Sequence, residues 1–171
     1  LDSYETRYFL LVEGEFKGAT ITINDRHKPD TVIVCYIKLS GKPKVKAHFS
    51  DGKPVIDVNL KVDADIVSIH NKTPYEKVYM IQDLNSQIND FLLKGINKTI
   101  EKTQKVYKSD IFGFGYHVAD NFKTIQEWEN YNWLSHYEDA KINVNLDVKV
   151  RRMGAGFYTS DIWNSKGKVE K

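Results

Sequence analysis

The residues of this chain with the capacity for chemistry are scattered rather than assembled. Five histidines, His27, His48, His70, His117 and His136, occur with no pair at the spacing of metal ligands on one helix face. No metal site is therefore expected, and each histidine reads as a surface or hydrogen-bonded residue. The lone cysteine, Cys35, lies within the β-branched run Thr31 to Ile37, where a buried inert thiol is the expectation. Gly113-Phe114-Gly115 supplies two of the three glycines of a dinucleotide fingerprint, but it follows a helical pattern where that fingerprint follows a strand. No nucleophile elbow or phosphate-binding loop occurs. Asp57, Asp63 and Asp147 fall on the polar side of alternating strands, the pattern of a solvated face. These observations predict a protein that is not an enzyme and binds no cofactor.

The stretch Ser109-Asp110-Ile111-Phe112-Gly113-Phe114-Gly115 is the exception to this anonymity. Glycine is admitted where the backbone turns left-handed or another group comes close, and phenylalanine anchors a core. Two of each in alternation predict a fixed corner between two helices, with a ligand-contacting loop as the alternative.

The elements around that corner follow from periodicity. Ser3 to Val12 suits either a short helix beginning at Ser3 or a strand. From Gly18 the period is two: Ala19, Ile21 and Ile23, then the run Thr31 to Leu39, then Lys44 to Phe49. Asp51-Gly52 reverses the chain into the longest strand, with Ile56, Val58, Leu60, Val62 and Ala64 on one face. Thr73-Pro74-Tyr75-Glu76 reads as a capping box with proline at the first helical position. An apolar stripe from Met80 to Tyr107 follows. A helix from Pro74 to Lys108 would measure about 52 Å, against about 40 Å for a compact domain of this size, so it overhangs or breaks, with Gly95 the expected break. A short helix is predicted from Tyr116 to Phe122. A second starts at the capping box Thr124 to Glu127 and continues through Trp128 and Trp133. Ile142 to Val150 alternates as a returning strand, closed by Arg151 and Arg152. The fold class is α+β: an antiparallel sheet of about five strands, a meander plus the C-terminal strand, packed on one long and two shorter helices. Residues 1–171 read as one domain, with an irregular tail over about 157–171.

Composition limits the partners. A net charge of +2 is too small to predict nucleic-acid binding. No window approaches the roughly 18 apolar residues of a membrane-spanning helix. Opening on Leu1, without a signal sequence, the chain is expected to be a fragment or processed product. The basic strip of Lys141, Lys149, Arg151 and Arg152 reads as a solvated edge that discourages strand pairing, or a surface for an acidic partner or lipid headgroups.

Taken in order, these landmarks resemble one family. Lys105 to Gly115 resembles the K-x-x-x-SDIFGFG signature of the C subunits of bacterial spore germinant receptors, the Ger(x)C family. Glu5-Thr6-Arg7 and the segment through Ile23 resemble its opening. Trp128 to Trp133 resembles its paired-tryptophan helix, and Val144 to Gly154 its basic closing strand. The likeness spans about residues 3–156. It implies the C-terminal domain of a larger lipoprotein, lipid-anchored on the outer face of the spore inner membrane and working with integral membrane A and B subunits, or with a scaffold lipoprotein. The implied role is a non-enzymatic protein–protein interaction domain; a germinant-binding module with a pocket between sheet and helices is the alternative. On this likeness Ser109 to Gly115, Trp128, Trp133, Arg151 and Arg152 are the candidate structural or interaction residues.

Overall fold

The computed structural model describes residues 1–69 and 78–153. The capping box at 73–76, His70 and the tail beyond Met153 lie outside the described residues.

The ambiguous first segment is a helix, α1 (Ser3–Glu13), and its cap is Asp2 where Ser3 was expected. Asp2 Oδ1 accepts from the backbone N–H groups of Tyr4 and Glu5, and the Glu5 carboxylate accepts from Asp2 N–H, a complete capping box. Gly14 ends the helix in the left-handed region at φ +81°.

Five strands follow the predicted periodicity: β1 (Ala19–Asn24), β2 (Val32–Leu39), β3 (Lys44–Ser50), β4 (Lys53–Ile69) and β5 (Lys141–Met153). The 17-residue β4 is the spine. Its even-numbered residues Ile56 to Ile66 are buried, while Asn59 and Lys61 are exposed. β5 pairs with β4 along residues 55–66, so β2 and β3 share the other edge end to end. Ser40 N–H, donating to Lys61 O at 2.8 Å, bridges the gap between them. β1 completes the sheet by pairing with β2.

The sheet is antiparallel from β1 to β4, but the returning strand joins in parallel. The cause is the long helix α2 (Val78–Lys102), about 37 Å at 1.5 Å per residue. It carries the chain back to the end of the sheet where β4 begins, so β5 must run in the direction of β4. Leu84, Ile88, Leu92, Ile96 and Ile100 of α2 are buried against the inner face of the sheet.

α2 does not break at Gly95. A Cβ there would lie 2.2 Å from Cζ of Tyr8, so the glycine is where α1 crosses closely over α2. Lys102 Nζ binds Glu5 Oε1 at 2.8 Å across the same crossing. The irregularity comes later, in a π-helical turn at Thr103–Tyr107, and Lys108 then enters the left-handed region at φ +47°.

Cys35 is fully buried, and burial pushes its thiol up to about 12. At pH 8 only about one thiol in ten thousand is then the reactive thiolate. Iodoacetamide is expected to leave the folded chain unlabelled and to label it stoichiometrically in denaturant. Rapid labelling of the native protein would show that the β1–β2 layer opens.

Candidate functional site: the aromatic–glycine corner

Three short helices follow the π turn: α3 (Phe114–Ala119), α4 (Ile125–Tyr131) and α5 (Trp133–Tyr137). Thr124 caps α4 as expected, accepting from Glu127 N–H at 3.1 Å, while the Glu127 carboxylate reaches Lys123 N–H, one residue earlier than in an ordinary capping box. Asn132, left-handed at φ +50°, separates α4 from α5, so the predicted second helix is two.

Asp110 organises the corner. Its Oδ1 accepts from Phe114 N–H at 3.1 Å, and its Oδ2 accepts from Gly115 N–H at 2.7 Å and from the indole Nε1–H of Trp133 at 2.8 Å. One carboxylate thus satisfies two of the orphan donors that open α3 and ties that helix to α5. Gly115 is required by the same contact, because a Cβ there would lie 2.6 Å from Trp133 Cδ1. Gly113 takes φ +65°, the left-handed conformation that glycine adopts without strain.

The two phenylalanines point into the core. Phe112 and Phe114 are buried and stack with ring centroids 5.3 Å apart, and Phe9 of α1 packs on Phe112 at 5.6 Å. Ile111 is half-buried beside them, and exposed Ser109 donates its N–H to Thr103 O at 3.1 Å, closing the π turn. Of the residues singled out in the sequence, the structure therefore gathers Ser109 to Gly115 with Trp133. It does not gather the rest. Trp128 sits in a separate half-buried cluster with Phe122 and Tyr131, to which Phe49 adds from β3. Arg152 lies on β5 opposite Asp65, and Arg151 sits at the register shift beside it, its Nε donating to Asp63 Oδ1 at 2.8 Å. They belong to an edge strand, as the sequence suggested, whose Val150 N–H is capped by Asn85 Oδ1 of α2.

Periodicity missed a second layer of this site. Tyr137 is fully buried, and its hydroxyl lies 2.7 Å from Thr103 Oγ1; burial raises its ionisation well above the usual range. Gln104 Nε2 donates to the carbonyls of Tyr137 and Ala140, so the π turn is clamped onto the end of α5. Only the placing of one polar residue on each apolar face could have signalled these bonds. A hollow of about 550 Å³ lies outside the corner, between the end of α1 and the loop before β3, lined in part by Glu13, Lys42, Asp110, Tyr116 and His117. The Glu13 carboxyl at its rim is pushed above the ordinary carboxylate range, first by partial burial and then by Asp110 and Glu15. Among the described residues no cluster of histidine, cysteine and carboxylate side chains could hold a metal ion, and no helix is long and apolar enough to cross a membrane.

An α+β domain with a signature corner consumed by its own packing matches known proteins over nearly its whole length. The profile of the family described as spore germination B3/GerAC like, C-terminal, covers residues 1–154, and the chain belongs to that family. The spore germination protein YndF of Bacillus subtilis (strain 168) is 24% identical over 157 residues, which are 90% of this chain and 38% of that protein. The crystal structure of the GerBC protein superposes with a TM-score of 0.71 at 20% identity, over 88% of this chain and 46% of that one, a likeness of fold. The chain thus spans less than half the length of either. The family resemblance drawn from the signature residues holds, and it places the chain among spore germination proteins.

Proposed function

We propose that this domain is a non-enzymatic docking module of a nutrient germinant receptor, presenting its helical segment to other receptor subunits. The observation that supports the reading is a division of labour around the signature. The Asp110 carboxylate, the charged group of the signature, is committed to three internal donors and so is spent on the fold. Exposed large apolar side chains surround it in sequence: Val106 and Tyr107 on the π turn, Tyr116 on α3, Ile125 on α4 and Leu134 on α5. Tyr116 and Ile125 are 82% and 77% exposed, an arrangement that isolated folding does not favour and that a partner would cover. In this reading the module stands on the outer face of the spore inner membrane. A lipid on a cysteine outside this sequence holds it there, beside the integral membrane A and B subunits or a scaffold lipoprotein.

The double substitution Ile125→Asp and Leu134→Asp tests the proposal. Both side chains are solvent-facing, so the melting temperature should move by no more than a surface substitution does, about 0.5 kcal/mol or less per site. Co-purification of the other receptor subunits from spore membranes should be lost. Undiminished co-purification with a normal melting temperature would refute a docking role for this surface.

The hollow beside Glu13 and His117 favours a second reading, a germinant-binding module. Its mark would be a rise in melting temperature with an amino acid or sugar germinant that disappears in Tyr116→Ala. That experiment reads the small molecule directly and is independent of subunit assembly.

A further inference from the structure

The face of the sheet turned away from the helices carries a charge pattern that neither the core nor the corner uses. Side chains alternate across each strand, which sends Lys38 of β2, Lys44 and Lys46 of β3, Lys61 of β4 and Lys141 of β5 to that face, all exposed. Strand register sets them in rows. Lys44 stands across from Asn59 and Asn145, Lys46 from Asp57 and Asn143, and Lys38 from Asp63 and Lys149.

Three of the four carboxylates on the same face are held locally, the fourth being Asp65 on the row of Tyr36 and Arg152. Asp63 accepts from Arg151 at 2.8 Å, Asp147 lies 3.7 Å from Lys149, and Asp57 accepts from Asn143 Nδ2 at 2.8 Å and lies 3.5 Å from His48. Asp63 is held below the ordinary carboxylate range by bonds to Arg151 and Ser40, which outweigh the opposing effect of burial; Lys38 adds only a longer-range attraction. The five lysines form no ion pair among the described residues. By contrast the helical segment 120–139 carries Asp120, Glu127, Glu129, Glu138 and Asp139 against Lys123. Among the described residues the open sheet face therefore carries an excess of positive charge, and the segment 120–139 an excess of negative charge.

The composition of this face selects among anionic partners. Protein interfaces are depleted of lysine at their centres, and sheets that bind single-stranded nucleic acid stack bases on aromatic rings. Among the described residues of this face the exposed rings are two and lie at opposite ends: Tyr36, 39% exposed, on the row of Asp65, and His48, held 3.5 Å from Asp57, on the row of Val55. Lysine is a flexible point charge without the planar fork that suits bidentate recognition. Spread over residues 55–63 of β4, about 26 Å at 3.3 Å per residue, such charges suit a flat surface of laterally mobile anions. We propose that the open face of β2 to β5 is an electrostatic docking surface for anionic phospholipid headgroups. Contact is interfacial, because the rows across Asp57, Asn59, Lys61 and Asp63 are made of lysine, asparagine and aspartate. This surface is separate from the helical segment offered to protein partners, so either assignment can fail alone.

Co-sedimentation of the 171-residue chain with vesicles tests it. Vesicles of phosphatidylglycerol and phosphatidylcholine should retain the protein, and vesicles of phosphatidylcholine alone should not. Binding should fade as salt rises from 0.1 M to 1 M, where the screening length falls from about 10 Å to about 3 Å. The triple variant Lys44→Glu, Lys46→Glu, Lys61→Glu should bind more than about tenfold more weakly with an unchanged melting temperature. Lys94→Glu with Lys98→Glu on α2 should bind as the parent does. The proposal is overturned by equal binding to neutral vesicles, by no binding to anionic ones, or by equal loss in the α2 variant. Preferential retention on a single-stranded oligonucleotide over anionic vesicles would also overturn it, assigning the face to a nucleic acid.

Discussion

Asp110→Ala is expected to lower the stability of the domain by about 3–5 kcal/mol. A hydrogen bond to a charged group contributes about 1.5–3 kcal/mol, and removing one partner strands the other. Three donors lose their acceptor together: the N–H groups of Phe114 and Gly115 and the indole of Trp133, which is buried. The sum is less than three independent bonds, because Asp110 is half-exposed and water can reach part of the space. Asp110→Asn should cost less, since a carbonyl oxygen in the place of Oδ2 keeps Gly115 N–H and the Trp133 indole while the amide faces only Phe114 N–H wrongly. Urea denaturation of both variants decides the matter. A loss below about 1 kcal/mol for the alanine variant, alongside failed germination, would mean that the carboxylate serves a partner instead of the fold.

Phe114→Ala is expected to cost about 3–5 kcal/mol, the range for truncating a buried aromatic side chain. Phe114 is 1% exposed and stacks on Phe112, which in turn packs on Phe9, so the cavity would open where α1, α3 and the sheet meet. Collapse is restricted there because Asp110 pins the first turn of α3 to α5, and a rigid site keeps most of the cavity term. The loss should appear in the denaturation midpoint without a change in slope. Unchanged stability with failed receptor assembly would make the corner an interface rather than an anchor.

Much of the fold is legible in the sequence because burial imposes short periods. The alternation of Ile56 to Ala64 and of Ile142 to Val150 marks strands with one wet face, and the stripe from Met80 to Ile100 marks the helix that covers the other. The aromatic–glycine corner is legible as a corner for a similar reason: Gly113 answers a left-handed backbone angle that glycine adopts without strain, and Gly115 a close approach that leaves no room for a Cβ. Three features escaped such reasoning. Gly95 looked like a helix break and is a packing notch for Tyr8, a contact between residues 87 positions apart. The π turn at Thr103–Tyr107 has no periodic signature, since it depends on Tyr137 and Gln104. The parallel entry of β5 depends on how many times the chain crosses the sheet, which no local pattern records.

By itself the sequence determined the element types, the α+β class, the inert cysteine position and the family, through local spacing and through a signature whose glycines and phenylalanines have few substitutes. Tertiary structure alone decided what those residues do. It showed that Asp110 is spent on three internal donors, that Trp133 and not Trp128 completes the corner, and that five lysines from four strands share one open face. The physical reason is range. Propensity and periodicity act over a few residues, whereas hydrogen-bond satisfaction and surface charge are settled between segments that only folding brings together.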